Sequence, residues 1–279
     1  MAIKRSSLHR VSLSALLLLF VLPWPADAQR YGRGRGRFDD AYELRGHPEV
    51  PVGFTFCRLQ FDEVRGDPSG TGWAIEYPRA EQNFMTRLSE LTVTGISRWN
   101  DGRPGHVVVR ATSPELFQCP FLMMSSPGTA GFTDQEVRAL REYLLKGGFL
   151  WGDDFWGDAS WAHWEQQLAR ILPGLTVRDI EPGHPLYDTF YLVRELPQIP
   201  SLNRYRPGLG TSERPGAEYA TPHMRGVFDE DGQLLVLMTH NTDIADGWER
   251  EADMEVYAVA FAWKAYSLGV NVAIWMMTH

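Results

Sequence analysis

FTDQEVRALREYLLKGGFLWGDD, from Phe132 to Asp154, places a helix, a stop and a strand in immediate succession. Thr133, followed three residues later by Glu136, forms a capping box in which each residue satisfies a backbone N–H at the helix start. Phe132 and Val137 stand where a hydrophobic staple closes around that start. Val137, Leu140 and Leu144 then recur at offsets of three and four, which puts them on one helical face. Gly147-Gly148 ends the helix, because glycine accepts the left-handed backbone that closes a last turn. Phe149, Leu150 and Trp151 follow without polar alternation, as suits a central strand covered on both faces, and run into Gly152-Asp153-Asp154. A helix feeding at once into a strand of that kind is the building unit of an α/β sheet.

The same alternation extends in both directions. Upstream, 54–61 reads as a strand, 79–91 as a helix carrying Phe84, Leu88 and Leu91, His106 to Arg110 as a second strand and 116–124 as a third. Downstream, Trp161, Trp164, Leu168, Ile171 and Leu172 line one face of a helix that Pro173-Gly174 stops, and 175–180 returns as a strand. Prolines from Pro182 to Pro222 punctuate a long irregular stretch. Met224 to Thr239 reads as a β-hairpin turning at Asp231-Gly232. A helix from about Ala252 to Tyr266, broken near Gly269, and an uncharged segment over 270–278 close the chain. The expected architecture is a flavodoxin-like three-layer sandwich with a largely parallel sheet, plus a β-hairpin and C-terminal helices.

In a chain of 279 residues, 44% hydrophobic and 22% charged residues describe a packed globular protein and exclude a disordered or collagen-like one. A formal charge of −8 argues against a nucleic-acid partner, which favours a basic surface. Lys4, Arg5 and Arg10 precede an apolar run from Val11 to Leu22, and Ala26-Asp27-Ala28 supplies a small-x-small cleavage site, so residues 1–28 read as a secretory signal peptide. The run is too short for a membrane anchor, and no span is expected after its removal. Residues 29–51, with Arg30, Arg33, Arg35 and Arg37 spaced by glycines, read as a flexible leader, and 52–279 as a single domain. A periplasmic or extracellular location follows as the expectation. Export favours a bridge between the two cysteines, Cys57 and Cys119, but both stretches look like strands in which a buried thiol behaves as a small hydrophobe, and the expectation leans to free thiols.

The runs Pro120-Phe-Leu122, Phe132 to Leu144 and Gly147 to Asp154, with His184-Pro185-Leu186, Trp248-Glu249 and Leu268 to Asn271, resemble the bacterial domain of unknown function 4159 family. That family in turn resembles the class I glutamine-amidotransferase-like fold, including the ThuA-like proteins. The resemblance implies a flavodoxin-like sandwich and no assigned activity. Amidotransferases carry a cysteine nucleophile at a strand-to-helix elbow, and this chain has no Gly-x-Cys-x-Gly, so glutaminase chemistry is not expected.

In an open α/β sheet the crevice lies beyond the carboxyl ends of the strands, where the Phe149 strand delivers Asp153 and Asp154. Two such carboxylates suit a cation or a general base, and equally a helix cap and a solvated side chain. His184, held extended before Pro185, and His240, after the strand Leu234 to Met238, are the candidate acids or ligands. Asp243, Asp246 and Glu249 lie just beyond His240, and Trp156 and Trp248 fall on expected loops where an aromatic face stacks on a sugar ring. Trp161, Trp164 and Trp263 have helical spacings that suggest core packing. No metal-ligand spacing singles out an ion, so metal and cofactor stay open. Two functions remain: a non-glutaminase binding or assembly module of the cell envelope, taking a small molecule or an envelope glycan, or a hydrolase on a carbohydrate-type substrate using Asp153 or Asp154 as base and His184 or His240 as acid. Convergence of these four in one pocket favours the enzyme, and dispersal favours the binding module.

Overall fold

The computed structural model describes residues 53–67 and 72–279; the expected signal peptide and the leader lie outside the described residues. The strands are β1 (Phe56–Gln60), β2 (Asp62–Glu63), β3 (Val107–Arg110), β4 (Phe121–Ser125), β5 (Ala130–Gly131), β6 (Phe149–Phe155), β7 (Val177–Asp179), β8 (His223–Phe228) and β9 (Leu234–His240). Seven of them form one sheet in the order β3-β1-β4-β6-β9-β8-β7. The first five of that order run parallel, and β8 and β7 add antiparallel pairings at one edge. β2 and β5 make a separate antiparallel pair. Because β1 lies inside the sheet, with β3 on one side of it and β4, β6 and β9 on the other, the connections diverge between β1 and β4, and their carboxyl ends mark the topological switch point.

The principal helices are α1 (Arg79–Leu91), α2 (Asp134–Leu145), α3 (Gly157–Ile171), α4 (Ile244–Glu249) and α5 (Trp263–Thr278). One face of the sheet buries Phe84 and Leu88 of α1, Trp248 of α4 and Leu268 and Val272 of α5 against Phe56, Phe121, Trp151 and Leu237. The other buries Leu140 and Leu144 of α2 and Trp164 and Leu168 of α3 against Leu59, Leu122, Leu150 and Val236. The result is the expected three-layer α/β sandwich, mostly parallel.

The capping box forms as read: the Thr133 hydroxyl accepts from the Glu136 N–H, and Glu136 accepts from the Thr133 N–H at 2.8 Å. Thr133→Ala removes the hydroxyl and is expected to cost roughly 1 kcal/mol. A chemical-denaturation midpoint equal to wild type would show that the cap contributes nothing.

Several boundaries differ from expectation. The strand expected over 116–124 begins only at Phe121, because Pro120 has no N–H for the ladder and Pro114–Gln118 coils into a 3₁₀ turn. β6 continues to Phe155, so Asp153 and Asp154 belong to the strand and not to a turn after it. The last helix does not break at Gly269. A π-helical turn over Ala258–Ala262 precedes α5, which runs through that glycine. A Cβ at Gly269 would lie 2.6 Å from the Trp248 ring and 2.7 Å from that of Phe84, so the glycine serves close packing and not chain reversal. Trp263 is 61% exposed and is no core residue.

The cysteines are also corrected. Cys57 on β1 and Cys119, just ahead of β4, form a disulfide with their Cα atoms 5.9 Å apart. β1 and β4 are parallel neighbours with Cys57 in register with Leu122, so thiols read as two separate hydrophobes face each other across one ladder.

Candidate functional site

Strand alternation builds the site. On the face covered by α1, α4 and α5, Phe56 is followed two residues later by Arg58, Met123 by Ser125, Trp151 by Asp153 and Leu237 by Thr239. Four adjacent parallel strands thus change from apolar to polar in step as they reach their carboxyl ends. The row is bonded laterally: Arg58 donates to the Ser125 hydroxyl, and the Thr239 hydroxyl donates to Asp153 Oδ1. Trp151 Nε1 donates to Thr239 at 2.8 Å. Asp153 Oδ2 accepts the Ala245 N–H at 2.9 Å, which ties the row to the first turn of α4.

Asp154 would face the opposite layer in a regular strand. Its φ of 53° breaks the alternation, and its carboxylate joins those of Glu76 and Asp243, with one oxygen from each within 4.8 Å of the others. Left-handed backbone at non-glycine residues recurs around this edge, at Glu76 before α1, Ser126 after β4 and Asn241 after β9. Such conformations are costly and cluster at functional sites. Asn241 spends its side chain on the surroundings, accepting from the Gly157 N–H and donating to the carbonyls of Glu218 and Thr221 at 2.8 and 2.9 Å. With Gln198 donating to the Tyr219 and Asn241 carbonyls, these bonds strap part of the proline-rich stretch to the carboxyl edge.

All three cluster residues are buried, as are Asp153 and Asp246. Glu76 accepts the Ser125 hydroxyl at 2.6 Å and lies 3.7 Å from Arg58. Asp154 accepts the Trp156 indole N–H at 3.1 Å. Asp243 caps α4 through the Asp246 N–H at 2.8 Å. Asp246 in turn accepts from Tyr257 and from the Leu202 N–H, each at 2.8 Å. Arg58 is the sole buried Lys or Arg among the described residues, and it is shared with Glu81. Burial works against its charge, but Glu81 and Glu76 outweigh burial and hold the guanidinium above its usual value.

The carboxylates show the converse. Burial pushes Glu76 well above the usual carboxylate range despite Arg58. Burial, then the neighbouring Glu76, does the same to Asp154, and burial with Asp154 and Asp246 does so to Asp243. Asp153 is pushed up to about 7 by burial, against the hydrogen bonds from Thr239 and Ala245. The cluster is therefore a place where negative charge is geometrically gathered and electrostatically under-compensated. It suits a bound cation or shared protons.

Of the residues singled out in the sequence, Asp154 and Asp243 meet in this cluster, and Asp153 lies beside it in the polar row. The histidines do not join them. His240 faces the α3 layer, its Nε2 3.1 Å from the Gly157 carbonyl and its ring against Phe155, Trp161 and His223. Burial lowers it to about 3, which keeps it neutral. His184 packs on Trp275 and Phe228, the latter paired with the amino end of β9, at the opposite edge of the sheet. Its Nδ1 accepts the Leu186 N–H. Trp156 is not a loop platform but is buried beside Asp154. Trp248 lies in α4 and is packed inside the core against Phe84 and Trp151. Glu249, at the end of α4, pairs with Arg250 at 2.9 Å. Sequence reasoning missed Glu76 and Arg58. Arg58 was detectable as a lone charge inside Phe54-to-Phe61, whereas Glu76 sits in a turn with no periodic signal.

The fold and site together define a class: a doubly wound α/β protein with a cluster of buried carboxylates at the carboxyl ends of its strands and no free thiol, since both cysteines of the chain are bridged. The family model for a domain of unknown function (DUF4159) matches residues 55–277, and the chain belongs to that family. No curated protein matches the chain. No helix among the described residues is long and apolar enough to cross a membrane.

Proposed function

We propose that the protein is an exported, non-glutaminase binding module of the cell envelope, built on an amidotransferase-like fold, whose ligand site is the Glu76–Asp154–Asp243 crevice. The observation that carries this reading is the composition of the crevice: carboxylates gather there, while His184 and His240 are held elsewhere by other contacts. An acid–base enzyme of the kind expected from the sequence would bring at least one of those histidines to Asp153 or Asp154. Export is supported by the signal-like segment 1–28 and by the Cys57–Cys119 bridge, since disulfides persist in oxidising compartments. The carbohydrate-hydrolase reading keeps one supporting observation, the proton-favouring burial of Asp154 beside a second carboxylate, the arrangement of a general acid.

Fractionation of the full-length chain, followed by a thermal-shift panel of small metabolites and cell-wall glycan fragments, tests the proposal. Expected are an exported, oxidised protein and at least one ligand whose stabilisation disappears in Asp154→Asn. A reduced cytosolic protein, or stabilisation that Asp154→Asn leaves intact, overturns it. Glycan turnover that ceases in Asp154→Asn would select the hydrolase.

A further inference from the structure

Resting on the reading of the crevice as the ligand site, we infer that Glu76, Asp154 and Asp243 hold a hard divalent cation of the Ca2+ or Mg2+ class. The carboxylate oxygens of the three residues, within 4.8 Å of one another, span a distance that one ion bridges through metal–oxygen bonds of about 2.0 to 2.6 Å. A second observation is independent of that spacing. Glu76 Oε2 takes the Ser125 hydroxyl, but Glu76 Oε1 is fully buried and has no hydrogen-bond partner. An orphaned carboxylate oxygen is among the costliest groups to bury, and a cation is the partner that satisfies it best.

The donor set selects the ion. Three carboxylates with no imidazole or thiolate among them suit hard, oxygen-seeking cations and not zinc or copper. Two of the three are also oriented by bonds that leave further lone pairs open: Trp156 Nε1 holds Asp154, and the Asp246 N–H holds Asp243. Outer partners of this kind fix ligating carboxylates in place. Arg58 neutralises the Glu76 side of the crevice only in part, because Glu81 shares it. Asp154 and Asp243 show no ion pair with Lys or Arg among the described residues, and a divalent ion supplies what they lack.

The test uses the full chain, stripped with chelator and then given calcium chloride or magnesium chloride alone. One of the two salts is expected to raise the melting temperature by roughly 5 to 10 °C at a hundred times its dissociation constant. Native mass spectrometry of the wild type should show one ion per chain. Glu76→Gln, Asp154→Asn and Asp243→Asn should each abolish the rise. The two asparagine variants should melt, ion-free, at or above the wild-type temperature, since each removes a repelled charge and asparagine still caps α4. Glu76→Gln also weakens the pairing of Arg58 and is read by the loss of the rise alone. Asp179→Asn, an exposed residue paired with Arg225, should keep the rise. The inference falls if millimolar concentrations of both salts leave the wild type unchanged with no ion bound, or if the rise persists in Glu76→Gln and Asp154→Asn. A metabolite or glycan that stabilises the chain in chelator but not Asp154→Asn would retain the crevice as ligand site and remove only the cation.

Discussion

Arg58→Met is expected to destabilise the fold by about 3 to 5 kcal/mol, the cost of removing one partner from a buried ion pair and leaving the other charge uncompensated. Methionine fills much of the same volume, so the loss reports charge and hydrogen bonding more than a cavity. The arginine is fully buried, bonded to Ser125 and paired with Glu81 at 2.5 Å and Glu76 at 3.7 Å. Without it Glu76 and Glu81, both buried, lose the cation they share. Adding Glu81→Gln should restore part of the loss, with a coupling of about 0.5 to 3 kcal/mol in a double-mutant cycle by urea denaturation. If Arg58→Met unfolds at the wild-type midpoint, the row is not held by charge.

Replacing both cysteines, Cys57→Ala with Cys119→Ala, is expected to cost about 4 kcal/mol. The bridge closes a segment of 62 residues, and cross-linking a loop of that size removes a large share of the unfolded chain's freedom. Both positions are buried under α2 and its neighbours, so alanine adds a small packing loss in the same direction. The comparison needed is the denaturation midpoint of the oxidised wild type against the double variant. Equal midpoints would mean that the bridge restrains nothing the folded sheet does not already hold.

These two residues also show where local reading stopped. Phe54-Thr-Phe-Cys-Arg-Leu-Gln-Phe61 was legible as a strand from its apolar alternation, and alternation alone puts Cys57 and Arg58 on opposite faces. What each meets there depends on β4, more than sixty positions away, which brings Cys119 to one face and Ser125 to the other. Asp154 was recognised as a residue at the crevice, but its left-handed backbone, which carries it to the same crevice as Glu76 and Asp243, leaves no mark in a Gly-Asp-Asp sequence. His240 reads as lying after a strand that stops at Met238, whereas β9 continues through it, and only the sheet determines that its ring turns toward Phe155 and Trp161.

Capping, periodicity and turn chemistry act over a few neighbouring residues, so the helix from Thr133 with its cap, most of the strands, the hairpin and hence the three-layer class were legible locally. The disulfide, the partner of Arg58 and the company of Asp154 were decided only by tertiary structure. Each is a contact between segments separated by tens of residues, set by strand order and by one reversed φ, and no local pattern encodes which distant chain arrives.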